Sequence, residues 1–278
     1  MTTLYVTDMD GTLMGNDSMV SPQSAEILNE LALDGVKITV ATARTPATVE
    51  PLLQGIRTLA PAIVMTGAAE WNRGLRRFEH PILFPAGKSA SLAESFLKCG
   101  VRPFVYTIQP DSTITVYFHG RMSRLQEKFY RDRSCLRLKK FVFNHPAGYA
   151  RDFDGAILLL GIDCTPRIEV LARRLKADPE LSVSAYEDIF NPEISYIEVF
   201  AAGVSKAAAV LRLKEETGAD RLVVYGDNLN DLPMFAVADE AVAVENAHPE
   251  VLMAATRTIG PNSASSVALD IRHHALGY

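Results

Sequence analysis

The sequence predicts an α/β protein: a parallel-sheet core into which a second α/β module is inserted. Three observations carry this. The first 67 residues alternate short apolar runs with helical spacings as β-α-β-α-β, and crossover helices between apolar strands imply a parallel sheet. From about Leu83 to Tyr186 the strands become amphipathic and more separated. From Ser195 the first pattern resumes. The expected boundaries are 1–82 and 191–278 for the core and 83–190 for the insertion.

The elements run in order. Leu4-Tyr5-Val6-Thr7 has strand composition. Ser21-Pro22 opens a helix to about Leu33, since Ser caps well and Pro suits the first helical position. Ile27, Leu28, Leu31 and Ala32 fall at helical spacing, and Gly35 marks the stop. The β-branched run Val36–Ala41 is a second strand, a helix runs from Thr45-Pro46 to about Thr58, and Pro61–Met65 is a third strand. Trp71-Asn72-Arg73-Gly74 reads as a hairpin turn. In the insertion, Phe104–Ile108 and Ile114–Phe118 flank a turn at Gln109–Thr113. Helices are expected near Arg124–Arg133 and Arg167–Ala177, and strands near Leu138–Phe143, Ala156–Ile162 and Leu181–Ala185. Then come a strand at Tyr196–Phe200, a helix at Ser205–Thr217, a strand at Arg221–Tyr225, a helix at Leu232–Ala238, a strand at Ala241–Val244 and terminal α-β-α elements.

Composition excludes several function classes. The chain has 278 residues, 48% hydrophobic and 22% charged, with a net charge of −5. That is an ordinary globular composition with material for a core, and nothing in it points to nucleic acid. No apolar run approaches the roughly 20 residues of a membrane helix. The N-terminus lacks a basic region ahead of an apolar one, so no signal peptide is expected. Cys99, Cys135 and Cys164 are far apart and odd in number, which fits buried thiols in a reducing, cytoplasmic setting better than disulfides or a zinc site.

The chemistry centres on Asp8 and Asp10, at the end of the first strand, where open α/β sheets bind ligands. Two carboxylates there repel one another and lose solvation, so they need a cation between them or a shared proton. A hard divalent ion such as Mg²⁺, which takes carboxylate and phosphate oxygens, is the natural partner. The plain alternative is a strand-end turn in which Asp is favoured. Three further polar clusters sit at comparable places: Thr42/Arg44, Lys206, and Asp227/Asn228/Asn230/Asp231. Each has its own ordinary reading as a helix cap, a solvated lysine or an Asx turn.

Asp-Met-Asp-Gly-Thr-Leu at 8–13 resembles the first motif of the haloacid dehalogenase (HAD) superfamily. Thr42 matches its second motif, Lys206 in Gly203-Val204-Ser205-Lys206 its third, and Gly226 through Asp231 its fourth, Gly-Asp-x-x-Asn-Asp. The insertion between the second and third motifs is similar to the Cof-type phosphatases, which carry an α/β (type IIB) cap. The resemblance implies a Rossmann-like, HAD-like parallel-sheet core with an inserted α/β cap domain. It implies a phosphatase acting on a small phosphorylated metabolite, a sugar phosphate above all, through an aspartyl-phosphate. Asp8 would be the nucleophile and Asp10 the general acid and base. Mg²⁺ would be held by the Asp8 carboxylate, the Asp10 carbonyl and Asp227, with Lys206 offsetting negative charge and keeping Asp8 ionised. Thr42, Ala43 and the amides near Asp10 and Gly11 would bind the phosphoryl oxygens, with Asn230 the favoured contact over Asn228. Asp231 would orient Lys206 or a metal-bound water, and Thr12 and Arg44 would be structural caps.

Three departures from the family pattern stand out. Thr66-Gly67-Ala68 replaces Asn-Gly-Ala, and Ala43 and Ala207 replace glycines. The competing functions are a phosphosugar mutase and a non-catalytic sensor of a phosphorylated metabolite. Trp71, His119, Arg121, Tyr149, Tyr186 and Glu193 are candidates for the substrate pocket, with linkers expected near Pro81–Pro85 and Asn191–Ser195. Oligomeric state is not readable.

Overall fold

Thr3–Thr7 (β1) is buried along most of its length, and both of its edges are taken. A computed structural model describes residues 2–150, 152–188 and 191–277. Among the described residues the strands form three sheets, and the chain divides into two compact units, Met1–His80 with Ser205–Tyr278, and Pro81–Val204.

In the first unit, β1 leads to a helix at Pro22–Leu33 (α1), whose N-cap Ser21 accepts the Ser24 amide at 3.0 Å. Ile27, Leu28, Leu31 and Ala32 are its buried stripe, as their spacing predicts. Lys37–Val40 (β2) comes next, then a short helix at Pro46–Leu52 (α2). That helix stops at Leu52, six residues before the expected Thr58. Pro51 removes one of its backbone donors, and Gly55 turns the chain with φ +78°. Arg73 then takes the carbonyls of Leu53 and Ile56, both at 2.7 Å. Ala62–Val64 (β3) was expected to extend the parallel sheet. It touches that sheet through a single parallel bridge, Ala41 to Ile63, and pairs instead with Ala69–Asn72 (β4) and Arg77–Glu79 (β5) as an antiparallel meander. Trp71, placed among the pocket candidates, is core: it is fully buried in β4, with its indole N–H on Glu50 at 2.7 Å.

The second unit opens with a helix the sequence reading missed, Lys88–Lys98 (α3). It starts at Gly87, which offers no capping side chain, yet Leu92, Ala93 and Phe96 form its buried face. Phe104–Ile108 (β6) and Ile114–Phe118 (β7) are the expected hairpin. A helix at Arg124–Arg131 (α4) opens on a Ser123/Gln126 capping box. Lys139–Phe143 (β8), Ala156–Cys164 (β9), a helix at Thr165–Leu175 (α5), Leu181–Asp188 (β10) and Asn191–Ala201 (β11) complete it. The sheet runs β10-β11-β9-β6-β7-β8, parallel only between β7 and β8. Leu92 and Phe96 of α3 and Ile168 and Leu171 of α5 share one core with Val105, Leu159, Ile197 and Val199, so both helices cover the same face.

The insertion is longer than expected at its C-terminal end. Residue 190, the expected last residue, lies outside the described residues. Asn191–Ser195, read as a linker, is the first half of β11, which pairs with β10 and β9. The signal was in the pattern: β11 alternates, with Ile197 and Val199 in the core, whereas β1 is apolar on both faces like a buried parallel strand. Tyr149 is also core, its hydroxyl donating to the Pro103 carbonyl at 2.6 Å, while His119, Arg121, Tyr186 and Glu193 are exposed. All three cysteines are free, but none is fully buried, and Cys135 is exposed.

The chain returns to the first unit with a helix at Lys206–Glu216 (α6), Arg221–Gly226 (β12), Leu232–Phe235 (α7), Glu240–Val244 (β13), Pro249–Ala254 (α8), Arg257–Ile259 (β14) and Ser266–Leu276 (α9). The core sheet runs β14-β13-β12-β1-β2, all parallel. Strands β1 and β12 are neighbours in register from Thr3–Arg221 to Thr7–Tyr225, so the residues beyond them, Asp8 and Asp227, emerge at the same end. No helix among the described residues is long and apolar enough to cross a membrane.

Candidate active site

Four elements of the first unit converge at the carboxyl ends of these strands. Asp8 comes directly after β1, its amide bonded to the Tyr225 carbonyl at 2.9 Å, and the residue is 6% exposed. Lys206 is the first residue of α6, set there by Ser205, whose side chain caps the helix on the Ala208 amide. Its ammonium is fully buried, 2.5 Å from Asp8 Oδ1 and 2.7 Å from Asp231 Oδ1. Asp231 is also fully buried, and its other oxygen accepts the amides of Asp227 (3.0 Å) and Asn228 (3.1 Å). Of the two roles open to Asp231, the geometry gives it the first: it orients Lys206 and ties down the loop after β12.

Asp227 is held from the far side. Thr12, read as a cap, donates its hydroxyl to Asp227 Oδ1 at 2.7 Å. Gly11 has φ +78°, and a Cβ there would lie 2.4 Å from Asp227 Oδ2. Only glycine lets the two loops approach this closely. Two residues absent from the sequence reading secure this loop. Asn246 donates to the Gly11 carbonyl at 2.9 Å and accepts the Asn262 amide at 2.9 Å, and Asn262 donates to the Met14 carbonyl at 2.8 Å. Asn246 lies just beyond β13, so a search of the loop at the carboxyl end of every parallel strand would have found it.

The other expected residues are bonded to one another or to their own loops. Asp10 faces Arg44, whose guanidinium grips both its oxygens at 2.7 and 2.5 Å. Arg44 is thus an ion-pair partner of Asp10, a correction to its reading as a cap. Thr42 is buried after β2, its hydroxyl accepting the Arg44 amide at 3.2 Å, with Ala43 half buried beside it. Asn228 spends its side-chain oxygen on the Leu229 amide, and Asn230 is exposed on the same 3-10 turn.

The electrostatics require a further positive charge. Burial, with Asp231 and Asp227 adding to it, pushes the Asp8 carboxyl up to about 8 against the pull of Lys206. Burial likewise lifts Asp227 to about 6, with Asp231 opposing the help of the Thr12 hydroxyl. Burial disfavours the Lys206 cation, but Asp231 and Asp8 outweigh it and its pKa is raised. One ammonium opposes the effect of burial on Asp8 without cancelling it. Asp8, Asp227 and Asp231 each offer an oxygen within 4.8 Å of the others. Asp231 is fully engaged, while among the described residues no donor reaches Asp8 Oδ2 or Asp227 Oδ2. Two free carboxylate oxygens amid excess negative charge fit a hard dication such as Mg²⁺.

The segment after β3 carries the Asn-to-Thr departure. Met65, Thr66 and Gly67 all have positive φ, and the Thr66 amide reaches the Thr42 carbonyl at 3.0 Å. A β-branched residue at φ +59° is strained, and the Thr66 hydroxyl is buried with no hydrogen-bond partner among the described residues. Thr66→Asn is expected to stabilise the protein by about 1 kcal/mol, because Asn tolerates the left-handed region. The check is a higher urea midpoint with an unchanged slope.

A family model described as haloacid dehalogenase-like hydrolase matches residues 5–271. A 5-amino-6-(5-phospho-D-ribitylamino)uracil phosphatase of Bacillus subtilis is 26% identical over 275 residues, covering 98% of this chain and 96% of its own. A haloacid dehalogenase-like hydrolase from Bacteroides thetaiotaomicron has the same fold, with a TM-score of 0.79 at 19% identity, covering 99% of this chain and 100% of its own. So does a HAD subclass IIB sugar phosphatase, with a TM-score of 0.73 at 19% identity and the same coverage.

Proposed function

We propose that this chain, which belongs to the haloacid dehalogenase-like hydrolases and is a Cof-type phosphatase, hydrolyses a sugar or polyol phosphate by way of Asp8. The observation that carries the reading is the buried Asp8–Lys206–Asp231 chain beside Asp227. Lys206 holds one oxygen of Asp8 and so fixes the rotation of the nucleophile, while Asp231 fixes Lys206. Asp8 attacks phosphorus, the bond to the leaving oxygen breaks, and Asp10 gives that oxygen a proton. Water then attacks the same phosphorus, yields its proton to Asp10, and Asp8 is released. Both Asp10 oxygens are engaged by Arg44, so Arg44 has to release one before Asp10 can carry a proton. The Thr42 hydroxyl and the amides around Gly11 are the donors assigned to the phosphoryl oxygens.

Asp8 and Asp227, with the Asp10 carbonyl, would hold Mg²⁺, which supplies charge neutralisation between nucleophile and phosphate. The substrate class is supported by the relatives, since one is named for a phosphoribityl compound and a fold neighbour for a sugar phosphate. The test is phosphate release from a panel of phosphorylated sugars and polyols, with Mg²⁺ and with chelator. Release that chelator abolishes and Mg²⁺ restores is expected. Isomerised sugar phosphate without free phosphate would identify a mutase instead. Ligand-induced stabilisation without turnover would identify a sensor.

A further inference from the structure

A second cluster of metal-ligating side chains lies at the opposite end of α6. Glu70 of β4 is fully buried, and Arg212 Nε donates to its Oε1 at 2.8 Å. Its Oε2 is buried and has no hydrogen-bond partner among the described residues. That orphaned oxygen faces His80, whose Nδ1 stands 3.4 Å away. The same Nδ1 is 3.2 Å from Oε1 of Glu216, the last residue of α6. The three residues offer ligand atoms that all lie within 4.8 Å of one another.

We propose that Glu70, His80 and Glu216 form a second metal site, for a transition dication of the zinc class. A buried carboxylate oxygen without a donor is costly, and a cation removes that cost. The spacing agrees with coordination. Two ligands about 2.1 Å from one ion, at a tetrahedral angle, stand about 3.4 Å apart. The donor set of one imidazole and two carboxylates suits zinc or cobalt, whereas magnesium prefers oxygen alone. The charge balance also agrees. With His80 neutral, two carboxylates face one guanidinium, so the cluster is net negative. A cation at the last turn of a helix is further favoured by the helix dipole.

The site is distinct from the catalytic cluster. α6 carries Lys206 at its first residue and Glu216 at its last, separated by a rise of about 15 Å. The ion would join the C-terminal end of α6 to β4 and to the residue after β5, fixing the helix that presents the catalytic ammonium.

The experiment is a Co²⁺ titration of the untagged full chain, stripped with chelator, in millimolar Mg²⁺, followed by visible d–d absorption and then Zn²⁺ displacement. One equivalent of Co²⁺ with a four-coordinate spectrum, bleached by Zn²⁺, is expected. His80→Ala and Glu216→Gln, both at exposed positions, should each weaken binding at least about tenfold. Asp227→Asn should leave the spectrum unchanged. No spectrum in the wild type would overturn the proposal and leave His80 as a neighbour of the two carboxylates without an ion between them. A spectrum that survives both substitutions, or is lost in Asp227→Asn, would overturn it as well. Since the readout is not turnover, the result stands apart from the phosphatase assignment.

Discussion

Asp8→Asn is expected to cut phosphate release at least about a thousandfold and, in chelator, to make the protein more stable than the wild type at pH 8. The two effects have one origin. Asp8, the proposed nucleophile, is a carboxylate placed in a buried cluster with Asp227 and Asp231, and Lys206 is the cation bonded to it. Burial raises the folded-state pKa from an ordinary 3.8 to about 8. An acid whose pKa is raised on folding binds its proton more tightly in the folded state. Its contribution is fully present below about pH 4 and is lost as the pH rises through about 8. Asparagine carries no charge at any pH. The two proteins should therefore melt at similar temperatures at or below about pH 4, and the variant should melt higher at pH 8. Thermal unfolding in chelator at both values reads this. Equal melting temperatures at pH 8 would show that Asp8 is not held in an unfavourable ionised state.

Lys206→Met is the second large effect, and its sign is opposite. Removing the ammonium leaves Asp8 and Asp231 buried without a cation, and breaking a buried pair from one side costs about 3–5 kcal/mol. Turnover should be lost as well. The deficit should shrink toward pH 5, where Asp8 takes up a proton and one of the stranded charges disappears. Trp71, the sole tryptophan, is fully buried in the first unit, so its fluorescence in urea reports that unit by itself. A midpoint within error of the wild type would mean that the Asp8–Lys206–Asp231 chain contributes nothing to the fold.

The candidate catalytic cluster was legible because two of its carboxylates come at the ends of strands, and strands buried on both faces announce themselves as short apolar runs. Asp8 and Asp227 were found this way, and Lys206 by its place in an ordered set of motifs. What was not legible depended on partners distant in sequence. Thr12 and Arg44 are each plausible caps until Asp227 and Asp10 are seen against them. Asn246 works through a backbone carbonyl 235 residues away, a contact no spacing encodes. β3 fails as a parallel strand because β4 offers it a full antiparallel edge only a few residues on. Glu70, in a strand beside the buried Trp71, gave no sign that His80 and Glu216 would meet it.

The order of synthesis bears on how this protein survives its own production. β1 emerges before its neighbour β12, which comes about 220 residues later, and at 5–20 residues per second that is a wait of roughly 10–40 s. Meanwhile the whole unit Pro81–Val204, being one continuous stretch, can fold as soon as it clears the ribosome. Through that interval one edge of β1 has no strand to pair with, and an apolar unpaired edge is a template for aggregation. A nascent chain arrested before Arg221 should therefore carry a folded insertion on an unfinished core, and be a client for chaperones until β12 closes the sheet.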